Sequence, residues 1–102
     1  MLALLAPALL LSGTDAPLHD DLGARVARAP KQVAAFVRRR ADCNHFLGEE
    51  PYDRERAAEL NRVVRELRCG RVERDERRLR EAYRHDAAVL RLLDETADLP
   101  GF

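Results

Sequence analysis

The chain has 102 residues, which allows one domain at most; 46% of its residues are hydrophobic and 35% are charged. This composition is too apolar for a disordered chain and too charged for a bundle of membrane-spanning helices. The 18 basic residues balance the 18 acidic ones. The chain therefore has no net field to attract nucleic acid, and we expect no nucleic-acid partner.

The chain begins with a run of apolar and small side chains, MLALLAPALLLSG. The run is shorter than the roughly 20 apolar residues of a transmembrane helix and matches the hydrophobic part of a secretory signal. We predict a signal peptide over residues 1–16, with Thr14 and Ala16 before the cleavage site, and a periplasmic or secreted protein. No cysteine comes directly after the run, so we expect no stable membrane anchor after signal removal. The alternative is a buried N-terminal helix.

The next residues, 17–29, are predicted to be a lead-in segment with one or two helical turns, because Gly23 and Pro30 interrupt it. A helical domain is predicted over residues 30–98. Its first helix begins at Pro30, since the first helical position does not need the missing N–H donor. The arginines at positions 38–40 are expected in its last turns, where cations suit the helix dipole. One apolar stripe identifies this helix: Val33, Phe36, Val37 and Ala41.

A second helix is predicted from an N-cap at Asp53 to about Arg68, and Gly70 is expected to end it and to turn the chain into an antiparallel hairpin. A third apolar pattern covers residues 71–95. Asp86 could cap a new helix within it, so this region is either one long helix or two. Because no stretch alternates like a strand, we predict an all-α fold, a small bundle of three to four helices.

The only two cysteines are Cys43, after the first helix, and Cys69, at the end of the second. In an exported chain two cysteines indicate one disulfide, whereas in a cytosolic chain they would be free thiols. The bridge would close the loop between them and, by the loss of entropy in the unfolded chain, stabilise the fold by about 3.5 kcal/mol. We therefore predict a structural disulfide that holds the helices together at one end.

The segment 43–53 concentrates reactive residue types and is predicted to be a loop because of Gly48 and Pro51. His45, Glu49, Glu50 and Asp53 have side chains that zinc accepts, but their spacing matches no established site. No nucleophile lies beside a base anywhere in the chain. We therefore predict no enzyme activity, no cofactor and no metal site. A metal-binding protein that uses the His45 loop is the less favoured alternative.

The same loop carries apolar side chains, Phe46, Leu47 and Tyr52. We expect them to cover the end of the core beside the disulfide, because aromatic residues are usually buried. The alternative is an exposed anchor for a protein partner. The candidate partner-binding residues are His45, Phe46, Glu49, Glu50 and Tyr52.

Asp75 lies on the apolar stripe of the third helical pattern, in register with Leu79 and Tyr83. A carboxylate at such a position must be paired or lie at an exposed helix start. Placement in the first turn of the helix and pairing with an arginine, such as Arg38, Arg39 or Arg62, are equally available. We therefore assign Asp75 and Tyr83 structural polar roles.

The pattern Cys69-x5-Asp75-x3-Leu79-x3-Tyr83, preceded by Cys43, resembles small exported bacterial helical domains related to the mycobacterial lysozyme-inhibitor lipoprotein. The resemblance covers roughly residues 33–95 and implies an envelope protein that binds a hydrolase or a toxin. We therefore expect a protein-binding module of the bacterial envelope, with lysozyme-type inhibition as its most specific form. The alternative is a structural or stress-related periplasmic protein without catalytic activity.

Overall fold

The computed structural model describes residues 18–101, and the regular secondary structure over that range is helical. A 3-10 turn, Cys69–Arg71, leads into the fourth of five α-helices, and no strand is present among the described residues. This confirms the all-α prediction, while the predicted signal peptide, residues 1–16, lies outside the described residues. The helices are α1 (Leu18–Arg28), α2 (Lys31–Leu47), α3 (Arg54–Glu66), α4 (Val72–Ala82) and α5 (Ala87–Glu95).

Helix α2 is the central element, because α1, α3 and α4 all pack against it while α5 packs against α1. The apolar stripe that identified α2 in the sequence faces the core. Leu79 and Tyr83 cover this core from the side of α4. Its buried members come from three helices and are Val26, Val33, Ala34, Phe36, Val37, Val89, Leu92 and Leu93.

Helix α1 is longer than the one or two turns expected for residues 17–29. It has 11 residues and continues through Gly23. Glycine lowers helix propensity by about 1 kcal/mol, but packing of an apolar face overrides this penalty. Val26 is buried in the core and Leu22 packs against it. The helix is therefore stabilised by tertiary contacts that its own sequence does not reveal.

Helix α2 extends to Leu47, so the prediction of a loop beginning at Cys43 was wrong for residues 43–47. The first residue that suits a helix end is Gly48, whose N–H donates to Asn44 O at 3.2 Å. A Cβ at Gly48 would also lie 3.2 Å from that oxygen, so a larger residue requires a small shift of the α2 backbone. The Asn44 side chain donates to Ala97 O and Leu99 O, at 3.0 and 2.9 Å, and attaches the C-terminal segment to this end of α2.

Helix α3 begins as predicted and ends differently. Asp53 is its N-cap and accepts the Arg56 N–H at 2.8 Å. Its last residue is Glu66, and the residue in the left-handed conformation is Arg68 (φ 56°) rather than Gly70. A left-handed non-glycine residue costs about 1–2 kcal/mol. Here the side chain of Arg39 offsets that strain by donating to the carbonyls of residues 67 and 68.

The region 71–95, predicted to be either one long helix or two, consists of two helices. Asp86 caps α5 by accepting the Val89 N–H at 3.1 Å. Tyr83, directly after α4, packs on the core and its hydroxyl accepts a hydrogen bond from Gln32 at 2.8 Å. Because Gln32 lies at the start of α2, this contact makes α2 and α4 antiparallel.

Candidate functional site

A disulfide joins Cys43 of α2 to Cys69 in the turn after α3, with a Cα–Cα distance of 5.5 Å. This confirms the predicted pairing. The sulfur bridge and the Arg39 contacts to the end of α3 lie close together, so both attach α3 to α2 at the same place. A disulfide is compatible with an oxidising compartment.

The five candidate partner-binding residues lie at one end of the molecule, which we call the tip and define as residues 45–53. His45 and Phe46 belong to the last turn of α2, and the others lie in the connection to α3. His45, Glu50 and Tyr52 are exposed, while Phe46 and Glu49 are half-buried. The rings of His45 and Phe46 meet edge to face with centroids 4.9 Å apart. The tip is therefore part helix and part connection.

Tyr52 and Leu47 of the tip are the exposed large hydrophobic side chains of the described region, with exposed fractions of 82% and 63%. The expectation that they cover the core was therefore wrong, and only Phe46 is partly buried. The Asn44 side chain, one residue before the tip, binds the backbone carbonyls of Ala97 and Leu99. Two apolar side chains face solvent on the same tip.

Glu49 is held by an ion pair inside the chain. Its two carboxylate oxygens accept hydrogen bonds from Arg56, at 2.6 and 2.8 Å, and Arg56 also bonds Glu59 at 2.8 Å. The Arg56 hydrogen bond lowers the pKa of the Glu49 carboxyl below its ordinary value. This bidentate pair fixes the connection against the first turn of α3. Glu50 forms no ion pair with another described residue, so its charge remains available.

The geometry of the tip does not bring metal ligands together. Cys43 is in the disulfide and Glu49 bonds Arg56, which removes two of the nearest donors. Within residues 18–101 no three His, Cys, Asp or Glu side chains form a group suited to a metal ion.

In the same part of the chain, no helix is both long enough and apolar enough to cross a membrane.

Asp75 pairs with Arg39, one of the three partners considered from the sequence, at 2.9 Å. The same guanidinium donates to Leu67 O at 2.6 Å and to Arg68 O at 3.0 Å. Arg39 thus connects α4, through Asp75, with the last carbonyls of α3. Asp75 therefore holds Arg39 in place, which suits a structural role.

Arg40, one of the three arginines expected in the last turns of the first predicted helix, is a buried polar residue with only 4% of its surface exposed. It donates to Leu93 O at 2.7 Å, to Thr96 Oγ1 at 2.9 Å and to Glu76 at 3.0 Å. Desolvation lowers the pKa of Arg40, and the Glu76 charge opposes this effect. The expectation that it serves the helix dipole was wrong, because α2 continues for two more turns.

The sequence contains a pattern from which the burial of Arg40 could have been predicted. It lies at i+4 from Phe36, which places it on the apolar stripe of α2. Its guanidinium carbon is 5.1 Å from the centre of the Phe36 ring, within the range of a cation–π contact. A basic residue on an apolar stripe needs buried partners, and this inference would have predicted a polar centre in the core.

Comparison with known proteins adds no assignment to this geometry: no family model, no curated protein and no solved structure matches the chain.

Proposed function

We propose that this chain is an exported helical protein-binding module of the bacterial envelope, and that the tip is its binding surface. The observation that carries the proposal is that Tyr52 and Leu47, both in the tip, are exposed to solvent. The apolar N-terminal run and the disulfide support a periplasmic or secreted location.

The tip has the physical properties of a binding hot spot. Tyrosine is enriched among residues that dominate interface energies, because one ring supplies a large contact area and a polar hydroxyl. The Glu49–Arg56 pair and the nearby disulfide restrain the backbone that carries Tyr52. A restrained segment loses little conformational entropy on binding, so more of the contact energy becomes affinity.

The charge around Tyr52 favours a basic partner. Glu50 and Glu55 are exposed and form no ion pair with another described residue. Carboxylates at the rim of an interface accelerate association with a positively charged protein. A basic hydrolase of the lysozyme type, which the sequence resemblance implies, is the first partner to test.

The test is inhibition of several muramidases by the purified mature protein at micromolar concentration. Tyr52→Ala and Glu50→Lys are each expected to weaken inhibition by about tenfold or more. The matched control is Glu66→Lys, which makes the same charge change at the far end of α3. Glu49→Lys is unsuitable, because it would also break the pair with Arg56. No inhibition of any muramidase discards the inhibitor function.

A second experiment tests protein binding without assuming a hydrolase. A photo-crosslinking amino acid is placed at position 52 and irradiated in intact cells that export the protein. Discrete adducts are expected, and Glu50→Lys should reduce them while Glu66→Lys does not. A complete lack of adducts from position 52 contradicts a binding role for the tip.

A further inference from the structure

The antiparallel helices α2 and α4 enclose a groove of about 410 Å³ on a different part of the surface from the tip. Its ends are marked by the Gln32–Tyr83 hydrogen bond and by the Arg39–Asp75 ion pair. Between Gln32 and Arg39 the helix rises about 10 Å, or two turns. The residues that line it are Gln32, Ala35, Phe36, Arg39, Asp75, Arg78, Leu79 and Ala82.

The floor of this groove is apolar and its walls carry small side chains. Phe36 is buried and Leu79 half-buried beneath it, whereas Ala35 and Ala82 are exposed. Small residues allow another backbone to approach closely, and apolar floors accept side chains spaced along one helix face. The groove therefore has the shape and the length that suit two turns of an amphipathic helix.

The rim of the groove is basic. Lys31 and Arg38 lie on the same face of α2 as Ala35, at i−4 and i+3, and Arg74 lies one turn before Arg78 on α4. All four cations are exposed, and none forms an ion pair with another described residue. The one acid in the lining, Asp75, is neutralised by Arg39. In a chain with no net charge, this is a local positive field.

We infer that the groove binds an acidic amphipathic helix of a partner protein, and that it does so independently of the tip. The apolar face of such a helix would cover Phe36 and Leu79, while its carboxylates would meet the four cations. A concave floor distinguishes this occupant from a flat anionic membrane, which would contact the rim cations but leave the floor empty.

The probe is a synthetic helical peptide of about 14 residues with leucines at i, i+3 and i+7 and glutamates on both flanks. Its binding to the full chain is followed by fluorescence anisotropy. We expect saturable binding that weakens as salt rises. The peptide with lysines in place of glutamates should not bind.

Two adjacent residues of α4 provide a matched pair of variants. Arg78→Glu reverses a charge in the groove lining and should weaken binding by about tenfold. Arg77→Glu makes the same change at an exposed residue that does not line the groove, and should have little effect. Ala35→Trp fills the groove without removing a charge and should abolish binding. Because these side chains are exposed, the variants should keep the wild-type unfolding midpoint.

The proposal is overturned if the peptide fails to saturate at millimolar concentration, or if Arg77→Glu and Arg78→Glu act equally. Loss of peptide binding on Tyr52→Ala would assign the peptide to the tip instead. Preference for phosphatidylglycerol vesicles, unaffected by Ala35→Trp, would identify a membrane surface. Self-association that disappears in Arg78→Glu would identify a second copy of the chain. Failure of muramidase inhibition does not bear on these results.

Discussion

Replacing Arg40 by methionine keeps an unbranched side chain in the core and removes the guanidinium that connects α2 to α5. Three hydrogen bonds are lost, those to Leu93 O, Thr96 Oγ1 and Glu76. The three losses are unequal, because two of the acceptors keep other partners. Thr96 Oγ1 still donates to Leu92 O, and Glu76 still pairs with Arg80.

The carbonyl of Leu93 is the acceptor that loses its hydrogen-bond partner completely. It lies near the end of α5, where the backbone leaves carbonyls without helical partners, and the N–H of Ala97 donates to Asp94 O instead. Without Arg40 this acceptor has no described partner, which costs about 1–3 kcal/mol. Breaking a buried ion pair typically costs about 3–5 kcal/mol. The remaining Glu76–Arg80 pair reduces that penalty, and the desolvation of Arg40 is relieved. We therefore expect Arg40→Met to lower the free energy of unfolding by about 2–3 kcal/mol.

The measurement is urea unfolding of the oxidised protein, followed by circular dichroism at the helix band. Arg38→Met is the control, because Arg38 is an exposed neighbour on α2 without an ion pair among the described residues; it should change stability by at most about 0.5 kcal/mol. A double-mutant cycle with Glu76→Gln separates the charge pair from the carbonyl contact. If Arg40→Met is no more destabilising than Arg38→Met, the Leu93 carbonyl does not need Arg40 as a partner.

Three further predictions concern the disulfide, a helix cap and an ion pair. Replacing Cys43 and Cys69 by serine opens a loop with a sequence separation of 26. This should lower the free energy of unfolding by about 3.5 kcal/mol, and a loss below about 1 kcal/mol contradicts the loop-entropy account. Asp86→Ala removes the side-chain cap of α5 and should cost about 1 kcal/mol in the same assay, whereas Asp86→Asn should restore most of it. The pKa of Glu49 is lowered by Arg56, so its stabilisation is present above the ordinary value of 4.5 and is lost as pH falls through the lower folded-state pKa. The stability difference between wild type and Glu49→Gln should therefore vanish in acid, and a difference that is independent of pH contradicts this pairing.

Local patterns were enough to predict the features that depend on neighbours in the sequence. The stripe from Val33 to Ala41 identified α2, because residues three and four apart share a helix face. Asp53 identified the start of α3, because its side chain caps an N–H three residues later. The helical stripes and the cysteine pair indicated a small helical domain with one disulfide. The helix and its cap follow from contacts between residues a few positions apart. The disulfide follows because each cysteine has only one possible partner.

The predictions about the candidate site were less complete, because exposure depends on which segments pack over it. The sequence identified the residues of the tip but not that Tyr52 would face solvent. The Asn44 side chain likewise binds two backbone carbonyls more than 50 residues away, a contact that no local pattern predicts. The α2–α4 groove also requires two helices distant in the chain, so no local pattern predicts it.

The sequence by itself determined the helical class, the cap at Asp53 and the only available disulfide, since each depends on short-range periodicity or on the number of cysteines. Only the tertiary structure decided that Arg40 is buried, that Arg68 takes the left-handed conformation and that Tyr52 is exposed. The physical reason is the same in all three cases: the free energy of a side chain or a strained residue depends on partners brought near by folding. For Arg40 those partners are carbonyl and hydroxyl oxygens of the distant end of α5.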